Sequence, residues 1–265
     1  MREVIRLYGG LLPVSWRDGV AYRGRVWLDI FRMFFPLLMM WVWLTIAQQQ
    51  GGSVNGLDSN FFVRYYVTAA VVAQVSVTSI SMVWDDAIRL GTLSSMLLRP
   101  ADPVHHLLCK ELCRRALAAS AGIPMLIIVL IVTGGYPGNP LKFLLGIAAL
   151  LIGFMLNFFM ATAIGMLAFW LTQVQRITLL WTGIGSFLAG GVAPLRLLPH
   201  WFQDLAAVLP FKATLGTPVE LLTGDAAVLA GLRGLGAGLV WTAVALLIYR
   251  VLWRRGLRQY SAVGA

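Results

Sequence analysis

Long apolar runs restrict what this chain can fold into more than any other feature. The six runs cover residues 27–47, 61–84, 115–133, 141–171, 177–195 and 226–253. A helix needs about 20 mostly apolar residues to cross a hydrocarbon core of about 30 Å. Because the runs are continuous, they lack the alternation that is typical of strands facing lipid. The sequence therefore predicts an all-α integral membrane protein, a single domain with six transmembrane helices.

Composition and charge agree with this class. Apolar residues make up 59% of the chain and charged residues only 12%, against roughly 25% charged in a soluble domain. Lys and Arg concentrate before the first run, in 85–110 and after the last run, whereas 48–60 has neither. Short loops rich in Lys and Arg stay in the cytoplasm, so both termini are predicted to be cytoplasmic. The basic charge then faces anionic membrane lipids, and nucleic acid is not an expected partner.

The amino-terminal residues 1–26 are basic and apolar by turns. They contain Arg2, Arg6 and Arg17 but no short apolar core followed by a small-residue cleavage site. The pattern argues against a removable signal peptide. It favours an amphipathic helix lying at the membrane interface.

No site for nucleotide, metal or catalysis emerges from the sequence. The G-x-x-x-x-G-K-[ST] phosphate loop is absent, and no cofactor is expected in this chain. Asp85 and Asp86 are adjacent, which directs them to different sides of a helix; they are expected to end the second span and to favour the first turn of the next helix. His106, Cys109 and Cys113 could share a helical face, but a fourth zinc ligand is missing. Packing is the expected role of these three.

Neutral polar residues interrupt the apolar runs. Gln74, Thr78 and Ser81 recur at i, i+4 and i+7, which predicts one polar stripe along the second span. Asn157 lies in the fourth run and Thr182 in the fifth. Two interpretations stay open for these residues. They either form hydrogen bonds between helices or line a weakly polar passage.

The segment 85–110, between the second and third runs, is compact and amphipathic. It presents charges and leucines at a membrane face, which predicts a docking element for a soluble partner. Pro100 and Pro103 are expected to end its helix and to fix the turn back to the membrane. The arginines of the segment are available for carboxylates on such a partner.

In organisation the chain resembles the permease subunit of an ABC-2 type exporter. The first match is an acidic start followed by Gly91-Thr92-Leu93, then Leu97-Leu98-Arg99-Pro100, with Lys110 at the entry to the third span. The acidic residue is Asp where Glu is common in the family. The second match runs from Pro199 to Phe211, and resembles the short external helices that precede the last span. The tail 256–265 resembles one subgroup, often encoded as two different permeases beside one ATPase.

The resemblance implies a dimer of permeases in a bacterial inner membrane, each contacting a separate cassette ATPase that binds ATP and Mg²⁺. It implies a cytoplasmic coupling helix in 85–110, an external re-entrant segment in 196–225, and a substrate path near the dimer interface. The tail favours a heterodimer over a homodimer. The residues expected to couple to the ATPase are Asp85, Asp86, Arg89, Gly91, Leu93, Leu97, Arg99 and Pro100.

The sequence thus predicts a subunit that exports a hydrophobic or amphiphilic compound and is not itself an enzyme. Two alternatives remain open at this point. One is a membrane-embedded enzyme that acts on lipid-linked substrates. The other is a scaffold of an envelope assembly that transports nothing.

Overall fold

The computed structural model describes residues 13, 16, 34–99, 102–134 and 139–260. Within these ranges the chain is almost entirely helical. The longer helices are α1 (Phe34–Gln49), α2 (Ser59–Ser76), α3 (Ile80–Arg89), α5 (Pro103–Val132), α6 (Pro140–Met166), α7 (Val174–Leu188) and α11 (Val228–Gln259). The shorter ones are α4 (Leu93–Leu97), α8 (His200–Val208), α9 (Phe211–Thr214) and α10 (Gly216–Leu222), with single 3-10 turns at Leu167–Phe169 and Leu195–Leu197. Strands β1 (Ser53–Val54) and β2 (Leu57–Asp58) pair in an antiparallel hairpin.

Three of the described stretches are long and apolar enough to cross a membrane: Ser59–Arg89, Pro140–Phe169 and Val228–Gln259. A fourth qualifies if Pro103–Ser120 and Gly122–Val132, which are bent by 44°, form one span. Pro124 accounts for that bend, because it lacks the N–H that would bond the carbonyl of residue 120 and its ring crowds that carbonyl. The protein is therefore an all-α, multi-pass membrane protein.

The first and fifth predicted spans correspond to shorter helices in the described part of the chain. Helix α1 has 16 residues and α7 has 15. At about 1.5 Å per residue, such helices reach only about 22–24 Å. Six crossings therefore stay a prediction. Apart from residues 13 and 16, the predicted interfacial helix at 1–26 lies outside the described residues.

The second predicted span is broken at Val77–Ser79, between α2 and α3. There the hydroxyl of Thr78 accepts a hydrogen bond from the backbone N–H of Ile80, at 3.2 Å. Threonine side chains compete with the helix ladder in this way, which stabilises a local interruption. The break corrects the prediction of one continuous stripe along the span. It also places Asp85 and Asp86 near the end of α3, not before the first turn of a new helix.

Helix α6 lies at the centre and packs against α2, α3, α10 and α11. Its contact with α3 is unusually close at Gly165, where a Cβ atom would lie 2.6 Å from the Cβ of Trp84. Trp84 belongs to a core cluster with Leu93, Phe158 and Tyr249. The fold thereby ties α3 and α4 to the carboxyl-terminal ends of α6 and α11.

At the other end of the bundle, aromatic side chains hold the turn that follows α7. Tyr65 donates a hydrogen bond to the carbonyl of Gly190 at 2.9 Å, and Tyr66 donates to the carbonyl of Val192 at 2.9 Å. The indole of Trp43 donates to the same Val192 carbonyl at 3.0 Å. Hydrogen bonds of this kind satisfy carbonyls that a turn would otherwise bury without partners. They fix one wall of the cavity described next.

Candidate functional site

A cavity of about 290 Å³ lies between α1, α2, α3, α6, α7 and α9. Its lining includes every residue that the sequence suggested for a passage: Gln74, Thr78, Ser81, Asn157 and Thr182. They come from four different helices and from the break between α2 and α3, so the fold, not local spacing, brings them together. Their role in a transport path stays a prediction.

The cavity wall is neutral. None of the described residues that line it is Asp, Glu, Lys, Arg or His. Aromatic side chains form part of the apolar surface, with the rings of Trp181 and Phe211 4.6 Å apart. Phe35 and Thr182 line the cavity and are also exposed at the surface of the chain, and Ser186 is half-buried. The cavity is thus apolar, uncharged and bordered by residues at the surface of the bundle.

The hydroxyls of α7 along the cavity already have partners. Thr178 donates to the Ser81 hydroxyl at 3.3 Å, which joins α7 to α3. Thr182 donates to the carbonyl of Thr178 at 2.9 Å, and Ser186 to that of Gly183 at 2.9 Å. Such bonds to the preceding turn use up the hydroxyl proton. These residues contribute mainly acceptor oxygens to the wall.

Two other lining residues differ. The side-chain amide nitrogen of Gln74 and the hydroxyl of Ser76 are buried and have no hydrogen-bond partner among the described residues. Gln74 is only 3% exposed and Ser76 only 1%. A buried polar group without a partner costs about 1–3 kcal/mol. The packing of the described residues does not explain why these two polar groups are buried without partners.

The backbone of Gln74 is held by a basic residue that the sequence analysis did not single out. Arg115, which is 2% exposed, donates from Nη1 to the carbonyl of Gln74 at 3.0 Å. In an unbroken helix that carbonyl would accept from the N–H of residue 78. Because the break removes that donor, the guanidinium caps the buried end of α2.

A carboxylate on the same helix compensates the charge of Arg115. Glu111 Oε1 accepts from Arg115 Nε at 2.9 Å, from Arg115 Nη2 at 2.8 Å and from Arg114 Nη2 at 2.7 Å. Glu111 precedes Arg115 by four residues, the spacing at which side chains meet on a helix. That spacing is the sequence signal that could have identified the pair. Helix α5 is thereby connected to the break in the second span.

The segment 85–110 consists of three helical pieces: the end of α3, the whole of α4 and the start of α5. Asp85 is buried and lies 3.7 Å from Arg89 in an ion pair. Leu93 is fully buried in the cluster around Trp84. This corrects the expectation that Leu93 is a surface contact: in this structure it anchors α4 to the core.

The exposed face of the segment combines apolar and charged side chains. Leu98 is 88% exposed and Leu97 is 40% exposed, and Leu90 also lies at the surface. Asp86, Arg89 and Arg99 are exposed on the same segment. Exposed leucines between charges are typical of a docking surface. We call Asp86, Arg89, Leu90, Leu97, Leu98 and Arg99 the exposed face of the 85–110 segment.

The turn between α3 and α4 is fixed by the other end of the chain. Gly91 has a φ of +74°, a conformation that glycine adopts without strain. The hydroxyl of Tyr260, directly after α11, donates to the Gly91 carbonyl at 3.1 Å. The ring of Tyr260 packs edge-on against Phe169. Sequence reasoning missed Tyr260 because nothing in the local pattern links it to Gly91.

The prolines of the segment have a different role from the predicted one. Pro103 begins α5 as one of its first residues, and the Asp102 carboxylate accepts from the N–H of Val104 at 3.0 Å. A proline suits the first turn of a helix, where its missing N–H is not needed. Pro103 therefore starts a helix and does not end one. Pro100 lies outside the described residues.

The possible metal ligands of α5 take part in packing. The thiols of Cys109 and Cys113 are buried, and His106 Nε2 lies 3.2 Å from Arg99 Nη1. Across residues 34–99, 102–134 and 139–260, no group of three or more His, Cys, Asp or Glu side chains is arranged to hold a metal.

Comparison with known proteins gives one clear result. A family model described as "ABC-2 family transporter protein" matches residues 33–264, which include the cavity, the 85–110 segment and α11. No curated protein matches the chain at a significant level.

Proposed function

The chain belongs to the ABC-2 family of transporter proteins, and on that premise we propose that it is the permease subunit of an ATP-driven exporter. The subunit would carry a hydrophobic or amphiphilic compound out of the cytoplasm or the inner leaflet. A separate cassette ATPase would bind ATP and Mg²⁺ and hydrolyse the nucleotide. The sequence has no phosphate loop of its own, which supports this division of labour.

We further propose six crossings of a bacterial inner membrane, with both termini and the 85–110 segment in the cytoplasm. The distribution of Lys and Arg supports this orientation. The residues 196–225 would then lie on the outer side. A second permease subunit, identical or related, would complete the transporter, and the tail at 256–265 favours a related one.

One observation carries the proposal: helix α3 contributes both to the cavity wall and to the exposed face of the 85–110 segment. Gln74, Thr78 and Ser81 line the cavity before, within and after the break, and the same α3 continues to Asp86 and Arg89. A movement imposed on α3 by a partner therefore acts directly on the cavity wall. Such a connection is what an exporter without its own nucleotide site requires.

The docking surface in this proposal is the exposed face of the segment. Leu90, Leu97 and Leu98 supply apolar contacts, and Asp86, Arg89 and Arg99 supply charges for the ATPase. Three residues support this surface from within. Asp85 forms the ion pair with Arg89, Gly91 forms the turn, and Leu93 packs in the core. Pro100 is expected to help end the segment.

Reconstitution tests the proposal directly. The chain is purified with the cassette ATPase and the second permease encoded beside it, and ATP hydrolysis and export of a fluorescent amphiphile are measured in proteoliposomes. We expect export that depends on ATP and on this chain. If the chain alone converts a lipid substrate into product, the membrane enzyme replaces the proposal. If the complex hydrolyses ATP but moves no compound, the scaffold replaces it.

A further inference from the structure

The unpartnered polar groups of the cavity indicate the chemistry of its occupant. Gln74 Nε2 can only donate hydrogen bonds, and Ser76 Oγ can donate one. Both belong to residues of the cavity lining, and neither has a partner among the described residues. Buried polar groups in folded proteins are nearly always hydrogen-bonded, so a missing partner points to a group that the described residues do not provide. That group must be a hydrogen-bond acceptor.

The absence of charge in the described lining restricts which acceptor groups the cavity can hold. The described lining contains no cation that would compensate an anionic headgroup and no carboxylate that would compensate a cationic one. The guanidinium of Arg115 reaches the backbone of Gln74, but it is already hydrogen-bonded to Glu111 and to the Gln74 carbonyl. Burying an unpaired charge costs far more than burying a neutral polar group. The cavity therefore discriminates against ions of either sign.

Size and surroundings decide which neutral compounds fit. A cavity of about 290 Å³ lies at the lower end of the range for small-molecule sites. It accommodates a headgroup and the first part of a chain, not a whole lipid. Trp181 and Phe211 offer flat apolar surfaces, and Phe35 joins the cavity to the exterior of the bundle, where the rest of an apolar tail can lie.

We propose that the cavity selects a neutral amphiphile whose headgroup carries hydroxyl, ether or carbonyl oxygens, and that Gln74 and Ser76 are its donors. This inference rests on the proposed export function and names its substrate class. Thr78, Ser81 and Asn157 contribute further polar atoms to the same wall. Selection arises because the neutral acceptor removes two unsatisfied donors, whereas a charged headgroup would add an unpaired charge.

Binding to the purified chain in nanodiscs tests the inference without the ATPase. Three radiolabelled probes with the same tail are compared: dodecyl glucoside, dodecyl sulfate and dodecyltrimethylammonium, with the signal of empty nanodiscs subtracted. We expect saturable binding of dodecyl glucoside at least about tenfold tighter than that of either ion. Gln74→Leu should weaken glucoside binding by about tenfold, since a buried hydrogen bond is lost. Ser76→Ala should weaken it by about threefold to fivefold.

Gln49→Leu is the matched control, because it makes the same side-chain change at an exposed residue outside the cavity. It should leave glucoside binding within about twofold of the wild type. Gln74→Leu removes a buried donor without a partner, so it should not lower the thermal midpoint. If the midpoint does fall, glucoside binding by Ser76→Ala alone tests the inference. Equal binding of the charged probes, unchanged binding in the cavity variants, or no saturable binding would overturn the inference. The proposed function would still stand or fall by the proteoliposome assay.

Discussion

The cavity and the 85–110 segment differ in charge and in how their buried polar groups are paired. The cavity is uncharged and keeps two donors without partners, Gln74 and Ser76. The segment is charged, and its buried carboxylate Asp85 pairs with Arg89 through Oδ2, while Oδ1 has no hydrogen-bond partner among the described residues. In our proposal, the first region accepts a neutral compound and the second presents one defined surface to the ATPase. Helix α3 belongs to both regions, because Ser81 lines the cavity and Asp85 begins the segment on the same helix.

The buried pair of Arg115 and Glu111 lies next to the cavity but contributes no charge to the described lining. Arg115 reaches the Gln74 backbone while Glu111 compensates its charge. The guanidinium thus stabilises the broken helix without making the cavity wall cationic. Substitutions at this junction should affect both regions together, whereas substitutions farther away should affect one.

The largest effect is expected from Glu111→Ala. The change leaves Arg115 buried without its carboxylate, which should lower the free energy of unfolding by about 3–5 kcal/mol. Thermal unfolding of the purified chain in detergent measures it. Both probe binding and association with the ATPase should be lost with the fold.

The double variant Glu111→Leu, Arg115→Leu is the control for that prediction. It removes both charges and should recover most of the stability, leaving a deficit of about 1–3 kcal/mol for the uncapped Gln74 carbonyl. A double variant as unstable as Glu111→Ala would contradict the role assigned to the charge pair.

Gly165→Leu should have the next largest effect. Its side chain would collide with Trp84 and with the carbonyl of Ser81, so α3 must move away from α6. Overpacking of this kind costs about 1–3 kcal/mol. Gly236→Leu on α11 is the matched control, because a Cβ there meets no atom within 4 Å. We expect the thermal midpoint to fall only for Gly165→Leu. Equal midpoints for the two variants would contradict the close contact between Gly165 and α3.

Tyr260→Phe should have the smallest effect and should be confined to the segment. It removes the hydrogen bond to the Gly91 carbonyl and keeps the ring against Phe169, at a cost of about 0.5–1.5 kcal/mol. Hydrogen exchange of the turn between α3 and α4 should become faster, while glucoside binding in the cavity stays unchanged. Exchange at the wild-type rate would show that Tyr260 does not hold the turn.

The sequence was sufficient to predict the helical membrane class, and it singled out five polar residues that lie in the cavity lining; their role in a transport path stays a prediction. Both follow from apolar run length and from neutral polar residues in otherwise apolar helices, which are local properties. The break at Val77–Ser79 was not predictable from spacing, because it depends on the Thr78 hydroxyl and on a cap from Arg115, 41 residues away.

The burial of Leu93 was equally beyond the sequence. Leu93 and Leu97 are four residues apart, so helical periodicity places both on one face and cannot separate Leu93 in the core from Leu97 at the surface. Tyr260 illustrates the same limit over a longer distance. Its partner Gly91 is 169 residues away, and only the packing of α11 against α6 and α3 brings the two together.

The central claim is that an ATPase acts on the neutral cavity through the exposed face of the 85–110 segment. Leu98 is the most exposed apolar side chain of that face, so Leu98→Asp should disrupt docking without disturbing the fold, whereas Leu98→Met should not. The decisive measurement is ATP hydrolysis by the reconstituted complex as dodecyl glucoside is added. The account predicts stimulation for the wild type and Leu98→Met, and at least about a tenfold loss for Leu98→Asp, whose glucoside binding is unchanged. Stimulated hydrolysis at the wild-type level in Leu98→Asp would contradict it.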